Sequence, residues 1–277
     1  MSWGDWGKQL ATKEQIDLMQ YYKSVGITTF DHADIYGDYT TEAQFGKAFH
    51  KSGIAREEIQ LISKCGIQYI GNTRNNKVKH YNYSKEYILW SVEESLKNLQ
   101  TEYLDLLLLH RPSPLMHPDE INEAVLILKN QGKILDFGVS NFTLSQVELV
   151  LKRTKISVNQ IEFSLTQHTA MHDGSLDQLL TKDIVPMSWS PLGSVFKEGT
   201  DQTKRIQKCL QKLTVTYNCS DDQILLAWVL QHPANVHPVI GTTNKDRIQN
   251  AVNTLHINLE LEDWFDLLIA SQGHKVP

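Results

Sequence analysis

The sequence predicts a single parallel α/β domain of the (β/α)8 barrel type. Short apolar runs of strand length alternate with segments of helical periodicity from one end of the 277 residues to the other. That length is ordinary for one such barrel. We find no linker, no low-complexity segment and no repeat beyond the βα unit. The sequence therefore predicts one domain over residues 1–277.

The predicted strands are short apolar runs, and the predicted helices repeat apolar residues at helical spacing. In chain order the strands are 26–30, 59–63, 104–109, 133–139, 156–160, 184–189 and 237–241. The helices are 13–25, 41–51, 84–100, 118–130, 144–154, 176–181, two stretches between 201 and 231, 244–255 and 261–271. The leucine run 106–109 is apolar at every position, as expected for a parallel strand that is covered on both faces.

The strand that should open an eight-stranded barrel is not apparent. Only Met1 to Gly7 precede the first helical pattern, and the segment WGDWG (3–7) is typical of a loop. We therefore expect the first strand to be missing or truncated in this sequence. A barrel without that strand would expose strand edges and interior apolar surface.

Composition excludes several classes of protein. The chain is 41% hydrophobic and 21% charged, which is typical of a folded globular protein. The net charge of −5 and a pI near 6.1 give no reason to expect nucleic acid or an anionic membrane as a partner. No apolar stretch is long enough for a membrane helix, and the N-terminus does not resemble a signal peptide. The three cysteines form no CxxC pair, so we expect a reducing, cytoplasmic location without disulfides or a zinc site.

Four polar residues lie at or just after the C-terminal ends of three successive predicted strands: Asp31, Tyr36, Lys64 and His110. In a parallel barrel these strand ends converge on the face that carries the chemistry. Lys64 could stabilise the phenolate of Tyr36, Asp31 could hold the lysine, and His110 could orient a carbonyl. Together they could form a general acid for reducing a C=O group.

Each of the four residues also has an ordinary structural interpretation. Taken alone, Tyr36 could be a packed loop aromatic, and Lys64 a solvated residue at a strand end. His110 could be a hydrogen-bonding residue of a loop, and Asp31 could cap a turn. Their joint placement on consecutive strand ends favours the catalytic interpretation. No HxH or HExxH spacing links the histidines, so we expect no metal.

The second half of the chain carries residues suited to a planar amide and to a phosphate. Ser140, Asn141 and Gln160 follow strands as neutral hydrogen-bonding groups, and Trp189 offers a flat face or is a core aromatic. Residues 241–244, Gly-Thr-Thr-Asn, open a helix, where backbone N–H groups and the helix dipole favour phosphate. Arg247 could reach a 2′-phosphate, although the segment is also typical of any capped helix. No GxGxxG is present, which argues against a Rossmann site.

Seven motifs of the sequence resemble those of the aldo-keto reductase superfamily, in family order from about residue 25 to 255. They are FDHADIYG (30–37), ISKCG (62–66), LDLLLLHRP (104–112), GKILDFGVSNF (132–142), VNQIEFS (158–164), SWSPLG (188–193) and PVIGTTNKDRI (238–248). The segments HADIYG, SKCGI and LLHRPSPLM look most like the bacterial YdhF-type oxidoreductases.

The resemblance implies a (β/α)8 barrel that reduces aldehydes or ketones with NADPH. It assigns Tyr36 as the general acid, Lys64 as the group that lowers its pKa, Asp31 as the counter-ion of the lysine, and His110 as the group that orients the carbonyl. It also implies a set of residues that bind NADP(H): Ser140, Asn141 and Gln160 at the carboxamide, Trp189 on the nicotinamide, and Ser190, Leu192, Gly241, Thr242, Thr243, Asn244, Arg247 and Asn250 along the rest of the cofactor. Arg247 favours NADPH over NADH, whereas Gly241 stands where some members have a lysine.

Family members usually begin with a short hairpin and a complete first strand, so the resemblance implies that both are missing or truncated here. The function expected is that of a cytoplasmic carbonyl reductase acting on a small-molecule substrate, with no nucleic acid or membrane partner. The alternative is a non-catalytic barrel that binds NADP(H) for sensing or regulation. The loops 65–83 and 192–204 would set specificity. The first could favour a polar or anionic substrate or be a solvated surface loop, and the oligomeric state is not readable from the sequence.

Overall fold

A computed structural model describes residues 3–197 and 199–277 of the protein. The chain divides into two compact units, Met1–Asn159 and Gln160–Pro277. We describe each unit separately. The single-domain assignment stays a prediction.

The first unit alternates strands and helices. Its strands are β1 (Thr29–Asp31), β2 (Gln60–Cys65), β3 (Ile67–Gln68), β4 (His80–Tyr81), β5 (Leu104–Leu109) and β6 (Ile134–Ser140), and β7 (Val158–Glu162) spans the division. Its helices are α1 (Thr12–Ser24), the single turn α2 (Tyr36–Tyr39), α3 (Thr41–Ser52), α4 (Lys85–Leu99), α5 (Pro118–Asn130) and α6 (Leu144–Leu151), with a 3-10 turn at Arg56–Glu58.

Parallel pairing of four strands fixes the positions of the polar residues. β1, β2, β5 and β6 are neighbours in that order, with Asp31 opposite Ile62 and Lys64 opposite Leu108. The leucines of β5 are buried, as the apolar run predicts. Gly138 is required on β6, because a Cβ there would lie 2.5 Å from the carbonyl oxygen of Val158. Glycine at this position therefore lets the backbone of Val158 lie close to β6.

Local signals in the sequence explain where the helices begin and end. Ser84 caps α4 by accepting a hydrogen bond from the N–H of Tyr87, and Pro118 occupies the first position of α5, where no N–H is needed. α3 ends at Gly53, whose φ of 72° is the left-handed conformation that glycine adopts easily.

The first described residues form turns. Between Trp3 and Ala11 the described chain contains no strand, in agreement with the predicted loop. The indole of Trp3 is nevertheless buried against Tyr22, Phe30 and Phe45. This aromatic cluster packs the start of the described chain onto α1, β1 and α3.

The second unit continues the alternation with α7 (Ser175–Thr181), β8 (Val185–Trp189), α8 (Asp201–Tyr217), α9 (Asp221–Leu230), β9 (His237–Val239), α10 (Lys245–Asn253) and α11 (Leu261–Gln272). Thr169–Met171 and Thr254–His256 form 3-10 turns. β8 and β9 are parallel, with Trp189 opposite Val239. Trp228 stacks on Trp264 at 4.9 Å, and each indole N–H donates to the carbonyl oxygen of the other residue. This pair joins α9 to α11.

The predicted elements differ from the observed ones mainly at their ends. β1 starts at Thr29 rather than at residue 26, and β2 extends to Cys65, so Asp31 and Lys64 lie within strands rather than after them. The pairing of β3 with β4 in the loop 65–83 was not predicted, because strands of two residues carry no periodicity. None of the helices in the described residues is long and apolar enough to cross a membrane.

Candidate active site

The ammonium of Lys64 is the centre of the first cluster of polar side chains. Lys64 is buried, with 1% of its surface exposed. Its Nζ lies 2.7 Å from both carboxylate oxygens of Asp31 and 2.8 Å from the carbonyl oxygen of His32. It also donates to the hydroxyl of Tyr36 at 3.3 Å. The parallel pairing of β1 with β2 brings these groups together.

The charges around Lys64 keep it protonated. Burial lowers the pKa of the lysine, but Asp31 and Tyr36 raise it, and the net pKa lies above its ordinary value. A protonated lysine can donate hydrogen bonds but cannot accept one. Its contact with Tyr36 therefore leaves the phenol free to donate its own proton, and the cation stabilises the phenolate that remains.

His110 follows β5 and lies beside Tyr36. The two rings meet edge to face, with centroids 5.7 Å apart. Burial, and then the cations of Lys64 and Arg111, lower the pKa of His110 well below its ordinary value. Its Nδ1 is buried and has no hydrogen-bond partner among the described residues. A neutral imidazole in this position can donate one hydrogen bond to a substrate oxygen near the Tyr36 hydroxyl.

Two buried carboxyl groups near this cluster were not singled out from the sequence. Asp34 accepts hydrogen bonds from Tyr87 and Ser91, and burial raises its pKa to about 6. Glu42 accepts a hydrogen bond from Ser63 at 2.5 Å, and burial raises its pKa to about 7. Ser63 directly precedes Lys64, so this bond ties β2 to α3. Asp34 lies within the motif DHADIYG, but no sequence pattern shows that it is buried.

Two side chains of the loop 65–83 are held by residues outside the loop. The hydroxyl of Tyr83 donates to the carbonyl oxygen of Arg111 and accepts from its N–H. The guanidinium of Arg74 lies 3.5 Å above the ring of Tyr39. Lys77 and Lys79 are exposed, whereas Arg74 is half-buried. The loop is thus an ordered part of the site's surroundings and contributes fewer free charges than its composition suggests.

Ser140 and Asn141 lie together at the end of β6. Ser140 is buried, and Asn141 adopts a left-handed φ of 61° and donates from Nδ2 to the Ser140 hydroxyl at 2.8 Å. The side chain of Asn159 donates to the carbonyl oxygen of Phe142 and so holds the loop that follows. Asn tolerates this conformation better than most residues, which explains its place at the strand end.

In the second unit, several predicted cofactor residues lie within β7 or at the end of β8. Gln160 is buried in β7, and Trp189 is half-buried as the last residue of β8. Ser190 turns the chain with a left-handed φ of 52°, and Leu192 is half-buried just beyond it. A half-buried indole therefore ends β8 and is followed by a tight turn.

The segment before α10 forms a capped helix N-terminus. The side chain of Asn244 caps the helix by accepting from the N–H of Arg247 at 3.0 Å, and its own N–H donates to Thr242. Gly241 and Arg247 are exposed, and Thr243 is half-buried. Asn250, farther along the helix, donates to the hydroxyl of Ser220. Within the described residues no three His, Cys, Asp or Glu side chains converge in a way that could hold a metal ion.

Comparison with known proteins places these features in context. The model of the aldo/keto reductase family matches residues 1–268. The chain is 43% identical over 270 residues to the oxidoreductase YcsN of Bacillus subtilis, covering 95% of this chain and 90% of that protein. It is 37% identical over 276 residues to the oxidoreductase YdhF of Escherichia coli, covering 99% and 92%. It is also 37% identical over 256 residues to a 6-dehydroglucose reductase of Agrobacterium fabrum, covering 91% and 85%.

Solved structures show a similar fold. A thermostable aldo-keto reductase, Tm1743, solved with the inhibitor epalrestat, superposes with a TM-score of 0.81 at 24% identity and covers 95% of this chain and 89% of its own. An aldo/keto reductase of Klebsiella pneumoniae, solved with NADP and acetate, superposes with a TM-score of 0.76 at 25% identity, covering 92% and 84%. These likenesses confirm the (β/α)8 fold class predicted from the sequence.

Proposed function

The chain belongs to the aldo/keto reductase family of oxidoreductases, and we propose that it reduces the carbonyl group of aldehydes or ketones to an alcohol with NADPH. The observation that carries this proposal is the buried ammonium of Lys64, bonded to both oxygens of Asp31 and to the hydroxyl of Tyr36. An ion pair of this kind, placed against a phenol, supports proton transfer from that phenol.

In the proposed reaction Tyr36 donates its proton to the carbonyl oxygen. NADPH, when bound, supplies the hydride that adds to the carbonyl carbon. The electron pair of the C=O bond moves to oxygen, which takes the proton of Tyr36, and the phenolate that remains lies against the Lys64 ammonium. Asp31 balances the charge of that ammonium and fixes its position. His110, neutral beside Tyr36, donates to the same carbonyl oxygen and orients it.

We assign the cofactor residues set by set. In the first unit, the buried Ser140 and the left-handed Asn141 suit a planar amide such as the carboxamide of nicotinamide. In the second unit, taken by itself, the buried amide of Gln160 suits a planar amide as well. The nicotinamide ring and the neighbouring part of the cofactor are assigned to Trp189, Ser190 and Leu192. The exposed N-terminus of α10 suits a phosphate: Gly241, Thr242, Thr243 and Asn244 line it, and Arg247 and Asn250 extend it toward a 2′-phosphate and adenine. The Klebsiella pneumoniae reductase that was solved with NADP and acetate supports this choice of cofactor.

The relatives also suggest a first class of substrate. The Agrobacterium protein is named for the reduction of 6-dehydroglucose, a sugar that carries a carbonyl group. We propose polyhydroxylated aldehydes and ketones as substrates to be tried beside simple ones. The non-catalytic alternative gains no support from the geometry, because Lys64 contacts both Asp31 and Tyr36, and Tyr36 contacts His110.

The proposal is tested by measuring cofactor binding and turnover together. The quenching of tryptophan fluorescence by NADPH and by NADH gives the two dissociation constants, and the loss of NADPH absorbance reports turnover on a panel of simple and sugar carbonyls. We expect saturable binding, tighter for NADPH, and consumption of NADPH that depends on the carbonyl. Tight binding of NADPH without turnover on the whole panel would contradict the reductase function and favour the non-catalytic alternative.

A further inference from the structure

The turn that carries Tyr36 has an unusual backbone. The three residues after the phenol, Gly37, Asp38 and Tyr39, have φ values of 62°, 55° and 67°. Glycine adopts this left-handed conformation freely, but two successive residues with side chains do so only when surrounding contacts hold them there. These residues directly follow Tyr36, so the backbone of the turn influences the position of the phenol. The contacts that hold the turn can therefore affect the reaction.

Asp38 is held by the backbone of the loop that connects β3 to β4. Its Oδ2 accepts hydrogen bonds from the N–H groups of Asn72 at 2.7 Å and Thr73 at 3.1 Å. Gly71 lies directly against the same carboxylate, because a Cβ on Gly71 would be 2.1 Å from Oδ1 of Asp38. The carboxylate of Asp38 therefore lies directly against the backbone of the loop, at a glycine that has no side chain to obstruct it.

Tyr39 is held by the same loop. Its hydroxyl donates to the carbonyl oxygen of Ile67 and accepts from the N–H of Tyr69. The guanidinium of Arg74 covers its ring and also donates to the hydroxyl of Tyr87 on α4. We name residues 67–74 the clamp segment. It binds both left-handed residues that carry side chains, and it is itself anchored to a long helix.

We propose that Asp38 is a positioning residue of the active site, through which the clamp segment fixes the turn that places the Tyr36 hydroxyl against Lys64. The proposal rests on the proposed role of Tyr36 as the proton donor. The hydrogen bonds of Asp38 go to the clamp segment, whereas those of Lys64 go to Asp31, His32 and Tyr36, so Asp38 acts on the reaction through the position of Tyr36. A carboxylate suits this place because Asp tolerates the left-handed conformation and accepts hydrogen bonds from successive N–H groups.

Variants at Asp38 separate the hydrogen bonds from the backbone conformation. Asp38→Asn keeps an acceptor oxygen and tolerance of a positive φ, Asp38→Gly keeps only the tolerance, and Asp38→Ala keeps neither. We expect kcat to fall at least tenfold in the Gly and Ala variants, since misplacing a catalytic group by about 1 Å can cost about a hundredfold. The Asn variant should stay within about threefold of the parent, and the dissociation constant of NADPH should not change in any of them.

A variant on the other side of the contact and a remote control complete the design. Gly71→Ala leaves Asp38 unchanged but pushes its carboxylate away, so it should reproduce the loss of kcat. Gln100 has a φ of 55° at the end of α4, and Gln100→Ala should lower thermal stability without lowering kcat. If the Asp38→Ala protein does not fold, the Asp38→Gly and Gly71→Ala variants test the positioning role of Asp38. Parent-like kcat in both would overturn the proposal.

A double-mutant cycle with Tyr36→Phe distinguishes failure of this proposal from failure of the proposed function. If Asp38 acts through Tyr36, then Asp38→Gly should have little further effect on the residual turnover of the Tyr36→Phe protein. An equal loss in both backgrounds would show that Asp38 acts elsewhere, and the positioning role would be wrong while the role of Tyr36 stands. Full turnover by Tyr36→Phe alone would instead overturn the proposed function.

Discussion

Replacing Asp31 by asparagine removes the charge that holds the buried Lys64 ammonium. Both oxygens of Asp31 lie 2.7 Å from Nζ, and the lysine is 1% exposed, so water cannot replace the lost partner. Breaking a buried ion pair on one side costs about 3–5 kcal/mol. Asparagine keeps one acceptor oxygen, and the lysine can lose its proton, so we expect the lower end of that range. A loss of about 3 kcal/mol corresponds to a decrease in Tm on the order of 6 °C.

The stabilities of the parent and of Asp31→Asn should depend on pH in different ways. In the parent protein the net pKa of Lys64 is raised, so its stabilising contribution is complete below the ordinary value of 10.5 and is lost as pH rises through the folded value. The Asp31 carboxylate is the group that raises the pKa of Lys64 most, and Asp31→Asn removes its charge. Burial then lowers the pKa of Lys64 below its ordinary value. The unfolded variant then binds more protons than the folded one, so the stability of the variant rises with pH up to the ordinary value. The difference in the free energy of unfolding between the parent and Asp31→Asn should therefore decrease as the pH is raised.

Urea unfolding of the two proteins at about pH 7 and about pH 9 measures both effects. Asp119→Asn is a matched control, because Asp119 pairs with Arg153 on the surface and its loss should change stability little. Turnover of the Asp31→Asn protein should fall as well, since the ammonium loses its fixed position. The reasoning would be refuted if Asp31→Asn unfolded at the parent's urea concentration at both pH values and kept the parent's turnover.

Two further predictions concern the cofactor and a second buried carboxyl group. Arg247→Ala should raise the dissociation constant of NADPH about tenfold and leave that of NADH nearly unchanged, because only NADPH has the 2′-phosphate; equal changes for both would exclude a 2′-phosphate contact. Burial raises the pKa of Glu42 from 4.5 to about 7, so the folded state keeps this proton longer than the unfolded state, and stability should fall as pH rises through that window. Urea unfolding of Glu42→Gln should show a change in the free energy of unfolding over this pH range that is smaller by on the order of 3 kcal/mol. The same dependence of the free energy of unfolding on pH in both proteins would contradict the raised pKa of Glu42.

Much of the framework could be predicted because its signals are local. The apolar run of β5 marks the strand from Leu104 to Leu109, and Pro118 marks the start of α5. The convergence of Asp31, Lys64 and His110 followed from counting strand ends in a parallel barrel. These features depend on periodicity and on residue preference, which a single sequence contains.

The contacts that surround the site could not be predicted, because they join distant segments. Burial of Asp34 and Glu42 depends on helices packing over β1 and β2, and no pattern in their own segments reports it. The clamp on Asp38 depends on the backbone of Asn72 and Thr73, whose N–H groups any sequence would supply. The stacking of Arg74 on Tyr39 likewise requires the folded loop, so no sequence pattern predicts it.

The proton-donating role of Tyr36 is tested most directly by turnover of Tyr36→Phe at saturating NADPH. Tyr103→Phe is the matched control, since Tyr103 precedes β5 and lies under the guanidinium of Arg56, whereas His110 follows the other end of that strand. We predict that Tyr36→Phe binds NADPH like the parent but reduces carbonyls about a hundredfold to ten-thousandfold more slowly, while Tyr103→Phe keeps the parent's rate. Turnover of Tyr36→Phe within about twofold of the parent, on a substrate that the parent reduces, would contradict the mechanism.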